Sequence, residues 1–136
     1  MNNYDPEILK IKSYKNELPI VESFLFQYFE KLNIAQNSFN KVLLCVSEAI
    51  INAIQHGNKN DISKKVTVKI LFVIDSFYIE IRDEGIGFNY NCINDPTKTE
   101  YIKSESGRGL HIIRSLSDNL EFKENGTCIS FKIRIE

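Results

Sequence analysis

Three short stretches of this 136-residue chain combine residue types that chemistry uses. Glu48, Asn52 and His56 stand four residues apart, so on a helix each successive side chain turns by only about 40° and all three line one stripe. A carboxylate one turn from an amide oxygen suits a hard cation such as Mg²⁺ and suits proton transfer. The same spacing also describes the solvated edge of an amphipathic helix, and His56 near a helix end would complement the dipole. The flanking Ala49, Ile50, Ala53 and Ile54 leave little wet surface for that plainer alternative. The second stretch, Asp83-Glu84-Gly85-Ile86-Gly87-Phe88, sets a hydrogen-bond acceptor beside two glycines that let backbone approach a ligand closely. The third, Gly107-Arg108-Gly109-Leu110, opens a helix after a long polar loop, where free N–H groups and a positive dipole end favour an anion. Neither glycine doublet carries the third glycine of a dinucleotide fingerprint, and no G-x-x-x-x-G-K-[ST] loop occurs.

These residues need elements to hold them. Leu9 and Ile11 alternate with Lys10 and Lys12, predicting a first strand over about 9–14. Val21, Phe24, Leu25, Tyr28, Phe29 and Leu32 then follow a helical period, predicting a helix from Leu18 to Leu32. Ser38 is the expected cap of a second helix, with Val42, Val46, Ala49, Ile50, Ala53 and Ile54 buried and Gly57 as its stop. A strand from Lys65 to Ile74, a turn at Asp75-Ser76 and a strand through Phe77, Ile79 and Ile81 make a hairpin. Continuing that register puts Asp83 on the apolar face, an expensive position for a carboxylate without a partner. A helix from about Gly109 to Ser117 follows the long loop, and strands over 120–123 and 128–135 flank the hairpin signal Asn125-Gly126. The expected fold class is α+β, with helices packed on one face of a mostly antiparallel sheet.

Length and composition narrow the function classes. The chain is about one domain by the prior of ~150 residues, and it should bury roughly 68% of its unfolded surface. Seventeen basic and eighteen acidic residues leave a charge of -1, so no electrostatic excess drives nucleic-acid or anionic-membrane binding. Any anionic ligand must be held by local geometry. Cys45, Cys92 and Cys128 fit no C-x-x-C pattern, and their odd number argues against a secreted disulfide framework. The opening Met1-Asn2-Asn3-Tyr4-Asp5-Pro6 has no basic segment followed by an apolar stretch, so a cytoplasmic location is expected.

Taken in order, Glu48-Ala-Ile-Ile-Asn52-Ala-Ile-Gln-His56-Gly57, Asp83-Glu-Gly85-Ile-Gly87, Ser106-Gly107-Arg108-Gly109-Leu110 and Gly126-Thr127 resemble the boxes of the GHKL superfamily of Bergerat-fold ATPases. The resemblance is closest to the small stand-alone serine kinases that act as bacterial anti-sigma factors. It implies a single histidine-kinase-like ATPase domain over 1–136, built as a two-layer α/β sandwich. It also implies ATP and Mg²⁺ as cofactors, with Asn52 on the Mg²⁺ and Glu48 as general base on a protein hydroxyl. Asp83 would accept the adenine amino group, with Thr127 near the same base and His56 beside the nucleotide. Gly85 and Gly87 would permit the turn against the nucleotide, and Gly107, Arg108, Gly109 and Leu110 would cradle phosphates. The loop from about Asn94 to Ser106 looks like an ATP lid.

One departure stands in that lid. Some kinases of this group carry a basic residue just before the Ser-Gly, whereas this chain has Glu105 there and its arginine at Arg108. Arg108 would then either clamp the γ-phosphate or point outward. The implied activity is an ATP-dependent protein serine kinase that holds a sigma factor and phosphorylates an antagonist protein, acting as a homodimer. The alternative is a non-catalytic, ATP-gated protein-binding module. A histidine-kinase catalytic domain fits less well, since no dimerisation helix with a phosphoacceptor histidine is present and His111 reads as a surface residue.

Overall fold

The two-residue period of Val66, Val68 and Ile70 and of Phe77, Ile79 and Ile81 builds the centre of a five-stranded antiparallel sheet. A computed structural model describes residues 5–87 and 105–135, with side chains in the second stretch from 108 onward. In chain order the elements are β1 (Glu7–Lys12), α1 (Leu18–Leu32), α2 (Gln36–Asn52), a π-helical turn (Ala53–Gly57), β2 (Lys65–Val73), β3 (Ser76–Arg82), α3 (Glu105–Leu116), β4 (Asp118–Lys123) and β5 (Cys128–Arg134). The strands lie in the order β1-β2-β3-β5-β4.

Register places Val68 opposite Ile81, Ile70 opposite Ile79, and Phe72 opposite Phe77, while Ile79 pairs Phe131 and Ile81 pairs Ile129. These residues form one apolar face, since side chains in a strand alternate strictly. The buried stripes of all three helices join it in a single core. Val21, Leu25 and Phe29 come from α1, Val42, Val46 and Ile50 from α2, and Leu110 and Ile113 from α3. Phe29 stacks on Phe77 at 4.6 Å between ring centroids. Beyond the start of β1, the Phe72 N–H has no strand beside it and donates instead to the Tyr28 hydroxyl at 2.9 Å. The opposite sheet face carries Lys69, Tyr78, Glu80 and Lys132, and a groove there is lined by these residues. No helix among the described residues is long and apolar enough to cross a membrane.

The α+β expectation and the element order hold, but boundaries differ: β1 runs over Glu7–Lys12 rather than 9–14, β4 starts at Asp118 rather than Leu120, and three further differences have a physical reason. The second helix begins at Gln36, so Ser38 is not its cap. Asn33 ends α1 in the left-handed region, and the Ile34 N–H returns to the Phe29 carbonyl at 3.1 Å. That closure leaves only two linking residues before α2 starts. The β2–β3 turn is Ile74-Asp75 rather than Asp75-Ser76, because Val73 pairs with Ser76. Ile74 thereby takes a φ of 63° and is 92% exposed, an unfavourable state for a β-branched residue. Core register across Phe72 and Phe77 prevails over local turn preference. Finally, α3 starts at Glu105 rather than Gly109, so both glycines of Gly107-Arg108-Gly109 lie inside the helix. An acidic residue in the first turn favours that earlier start through the helix dipole.

Candidate functional site

Asp83 follows the last residue of β3, and its N–H donates to the Thr127 carbonyl at 2.9 Å, extending the β3–β5 ladder by one step. The alternation therefore carries its side chain toward the helix layer, where it is half-buried against the end of α2. Burial pushes the carboxyl pKa above its ordinary value, opposed in part by the Gly85 N–H, which donates to Oδ1 at 2.8 Å. A partly desolvated acceptor at the edge of a core is a site for a hydrogen-bond donor from outside.

Glycines make the enclosure possible. A Cβ on Gly57 would overlap the Asp83 carboxylate, one on Gly85 would overlap the Gly57 carbonyl, and one on Gly87 would overlap the Asn125 carbonyl. Gly87 also sits at φ 89°, in the left-handed region. The end of α2, the turn after β3 and the β4–β5 connection thus meet with backbone against backbone. At that connection the Thr127 hydroxyl donates to the Glu124 carbonyl at 2.8 Å.

The second part of the arrangement lies further back along α2. Glu48 and Asn52 are both partly buried, and a Cβ on Gly109 would stand 2.8 Å from Glu48 Oε2. Packing α3 on α2 therefore brings the Glu48 carboxylate to the second turn of α3. His56 separates from that pair. It lies in the π-helical turn, closed by the Asn58 N–H donating to the Ala53 carbonyl at 2.8 Å, and is exposed. Such widened turns recur at functional sites, and this one ends the helix against Asp83. The Leu110 side chain is 3% exposed and belongs to the core, while Arg108 and His111 are exposed. The expected lid over 94–106 falls outside the described residues except for the helical backbone of 105 and 106.

Of the expected site residues, the structure brings Asp83 to Gly85 and Glu48 to Gly109, with Asn52 one turn beyond Glu48. Sequence reasoning missed two features. Gly57 is a wall of the Asp83 enclosure as well as a helix stop, and Asn58 is buried beside it. The run His56-Gly57-Asn58-Lys59-Asn60 reads as a turn in sequence, and the partners of Asn58 are 26 and 45 residues away.

A family model described as the histidine kinase-like ATPase domain matches residues 13–133, spanning every one of these features. The chain belongs to that family. Among the relatives of this histidine kinase-like ATPase domain is the anti-sigma F factor of Oceanobacillus iheyensis. It is 32% identical over 114 residues, covering 80% of this chain and 75% of that protein. The serine-protein kinase RsbW of Bacillus subtilis is 24% identical over 130 residues, covering 91% of this chain and 81% of that protein. The crystal structure of the RsbU and RsbW domains of a Mycobacterium tuberculosis protein superposes with a TM-score of 0.66 at 13% identity. The match takes in 97% of this chain and 32% of that longer one, and it shows the shared fold. The ATPase-domain resemblance carried by four short boxes is thus matched along nearly the whole chain.

Proposed function

We propose that this chain is an ATP-dependent protein serine kinase that also acts as an anti-sigma factor, phosphorylating a small antagonist protein. The observation that carries the reading is the Glu48 carboxylate against Gly109 near the start of α3. Nucleotide binding alone needs no base there, whereas phosphoryl transfer to a hydroxyl does. In the proposed step the Glu48 carboxylate takes the proton of the antagonist's serine hydroxyl as its oxygen bonds to the γ-phosphorus. The bond from the γ-phosphorus to the β–γ bridging oxygen breaks, and ADP leaves.

Asp83 accepts the adenine amino group, and Gly85 and Gly87 let the turn lie against the base, with Thr127 nearby. Gly107 and Arg108 flank the phosphates at the first turn of α3, with Arg108 available as a clamp and His56 at the rim, while Gly109 and Leu110, already inside the helix, seat it against Glu48 and the core. Asn52 offers an amide oxygen one turn from Glu48, a hard-donor set that fits Mg²⁺, which usually takes one or two protein oxygens together with phosphates and water. That ion would neutralise charge on the triphosphate. The chain is read as one domain over 1–136, acting in the cytoplasm as a homodimer, without direct nucleic-acid or membrane binding.

Incubation with labelled Mg·ATP and candidate antagonists tests the reading. Wild type is expected to transfer label to a serine of the partner. Tight ATP binding with transfer to no partner would replace it with the ATP-gated module.

A further inference from the structure

Asn58, Ser13 and Ser76 are the buried polar side chains among the described residues, and the first two bond to one another. Asn58 is 1% exposed. Its Nδ2 donates to Ser13 Oγ at 2.7 Å and to the Lys65 carbonyl at 3.0 Å, and its Oδ1 accepts from the Glu84 N–H at 2.7 Å. The amide orientation is fixed by these partners, because an N–H requires an oxygen and a carbonyl requires a donor. Ser13 in turn donates to the Lys64 carbonyl at 2.7 Å, and the Lys65 N–H donates to the Glu84 carboxylate. One side chain therefore ties the residue after β1, the start of β2 and the residue after Asp83 to the end of the π-helical turn that follows α2.

Its two neighbours are the walls of the Asp83 enclosure. Gly57 precedes Asn58 and packs on the Asp83 carboxylate, while Glu84 follows Asp83 and gives its N–H to Asn58. We propose that Asn58, buttressed by Ser13, is a positioning residue for base recognition: it holds the Asp83–Gly85 turn against the end of α2 so that the carboxylate meets the amino group of adenine. The inference rests on the reading of Asp83 as the adenine acceptor. Asn58 touches no nucleotide in this account, and its effect passes through Asp83.

The test compares ATP with purine riboside 5′-triphosphate, which lacks the exocyclic amine, by calorimetric titration of wild type, Asp83→Asn, Asn58→Asp and Ser13→Ala. Wild type is expected to favour ATP by roughly tenfold, the worth of one good hydrogen bond to a charged acceptor. Asn58→Asp, which sets a carboxylate oxygen against Ser13 Oγ and the Lys65 carbonyl, should abolish most of that preference. Ser13→Ala should reduce it about threefold. Both should bind the analogue within about twofold of wild type. Ser13→Ala removes a single hydroxyl and carries the test if Asn58→Asp does not fold. Parallel loss of both nucleotides would show a merely structural role and overturn the proposal, as would an unchanged preference in both variants. A preference that survives in Asp83→Asn overturns instead the reading of Asp83, and the proposal with it.

Discussion

At the scale of single residues, Glu48 and Asp83 are carboxylates with opposite settings. Glu48 lies on α2 with its oxygen near α3, where a proton can be taken from an incoming hydroxyl. Glu48→Gln keeps the size and removes the base, so phosphotransfer should fall by about 10²–10⁴ while ATP affinity changes little. Single-turnover transfer alongside calorimetric binding separates the two effects. Burial of the Asp83 carboxylate costs stability. Because its folded carboxyl titrates above the unfolded value, the folded state binds the proton more tightly. The penalty is therefore absent below the unfolded pKa, grows as pH rises through the folded one, and is complete at neutral pH. Asp83→Asn retains an acceptor for the Gly85 N–H and should melt above wild type at pH 7. The two melting temperatures should converge near pH 3.5, below about the ordinary carboxylate value. The variant should nevertheless bind ATP poorly. A wild type more stable than the variant at pH 7 would contradict the burial argument.

At the scale of elements, α2 meets α3 through Glu48 and Gly109, where the proposed transfer takes place, and the π-helical turn meets the turn after β3 through Gly57 and Gly85, where the proposed base recognition takes place. Gly109 sits in the second turn of α3, where glycine costs about 1 kcal/mol relative to alanine. Its Cβ would crowd only the flexible end of Glu48. Gly109→Ala should therefore raise stability by up to about 1 kcal/mol while swinging the carboxylate aside and slowing transfer. Denaturant melts and transfer rates on the same sample check both signs. The same elements show what a sequence displays. The stripe of Val21, Leu25, Tyr28 and Phe29 predicted α1 because burial has a period, and strand alternation predicted that Asp83 turns inward. The π-helical turn, the Ile74-Asp75 turn and the start of α3 at Glu105 were not legible. The Ile74-Asp75 turn, for one, is set by pairing along the strands, where Phe72 must face Phe77. Asn58 was hidden for the same reason, since a buried amide looks like any turn asparagine until its partners arrive.

At the scale of the whole molecule, a chain of net charge -1 holds its anionic ligand by local means, so ligand binding should appear as stabilisation of the folded state. Mg·ATP at a hundred times its Kd should add about 2.7 kcal/mol, a rise in melting temperature of roughly 5–10 °C. Asp83→Asn should show little of that shift. In the proposed reaction the hydroxyl is presented by a partner protein where Glu48 of α2 faces Gly109 of α3. In that reaction Glu48 activates the hydroxyl. The most direct measurement is transfer of labelled phosphate from Mg·ATP to a serine of the antagonist protein, by wild type and by Glu48→Gln at saturating nucleotide. Wild type should transfer the label, and the variant should lose at least about a hundredfold of that rate. Equal transfer by the two proteins would contradict that role of Glu48.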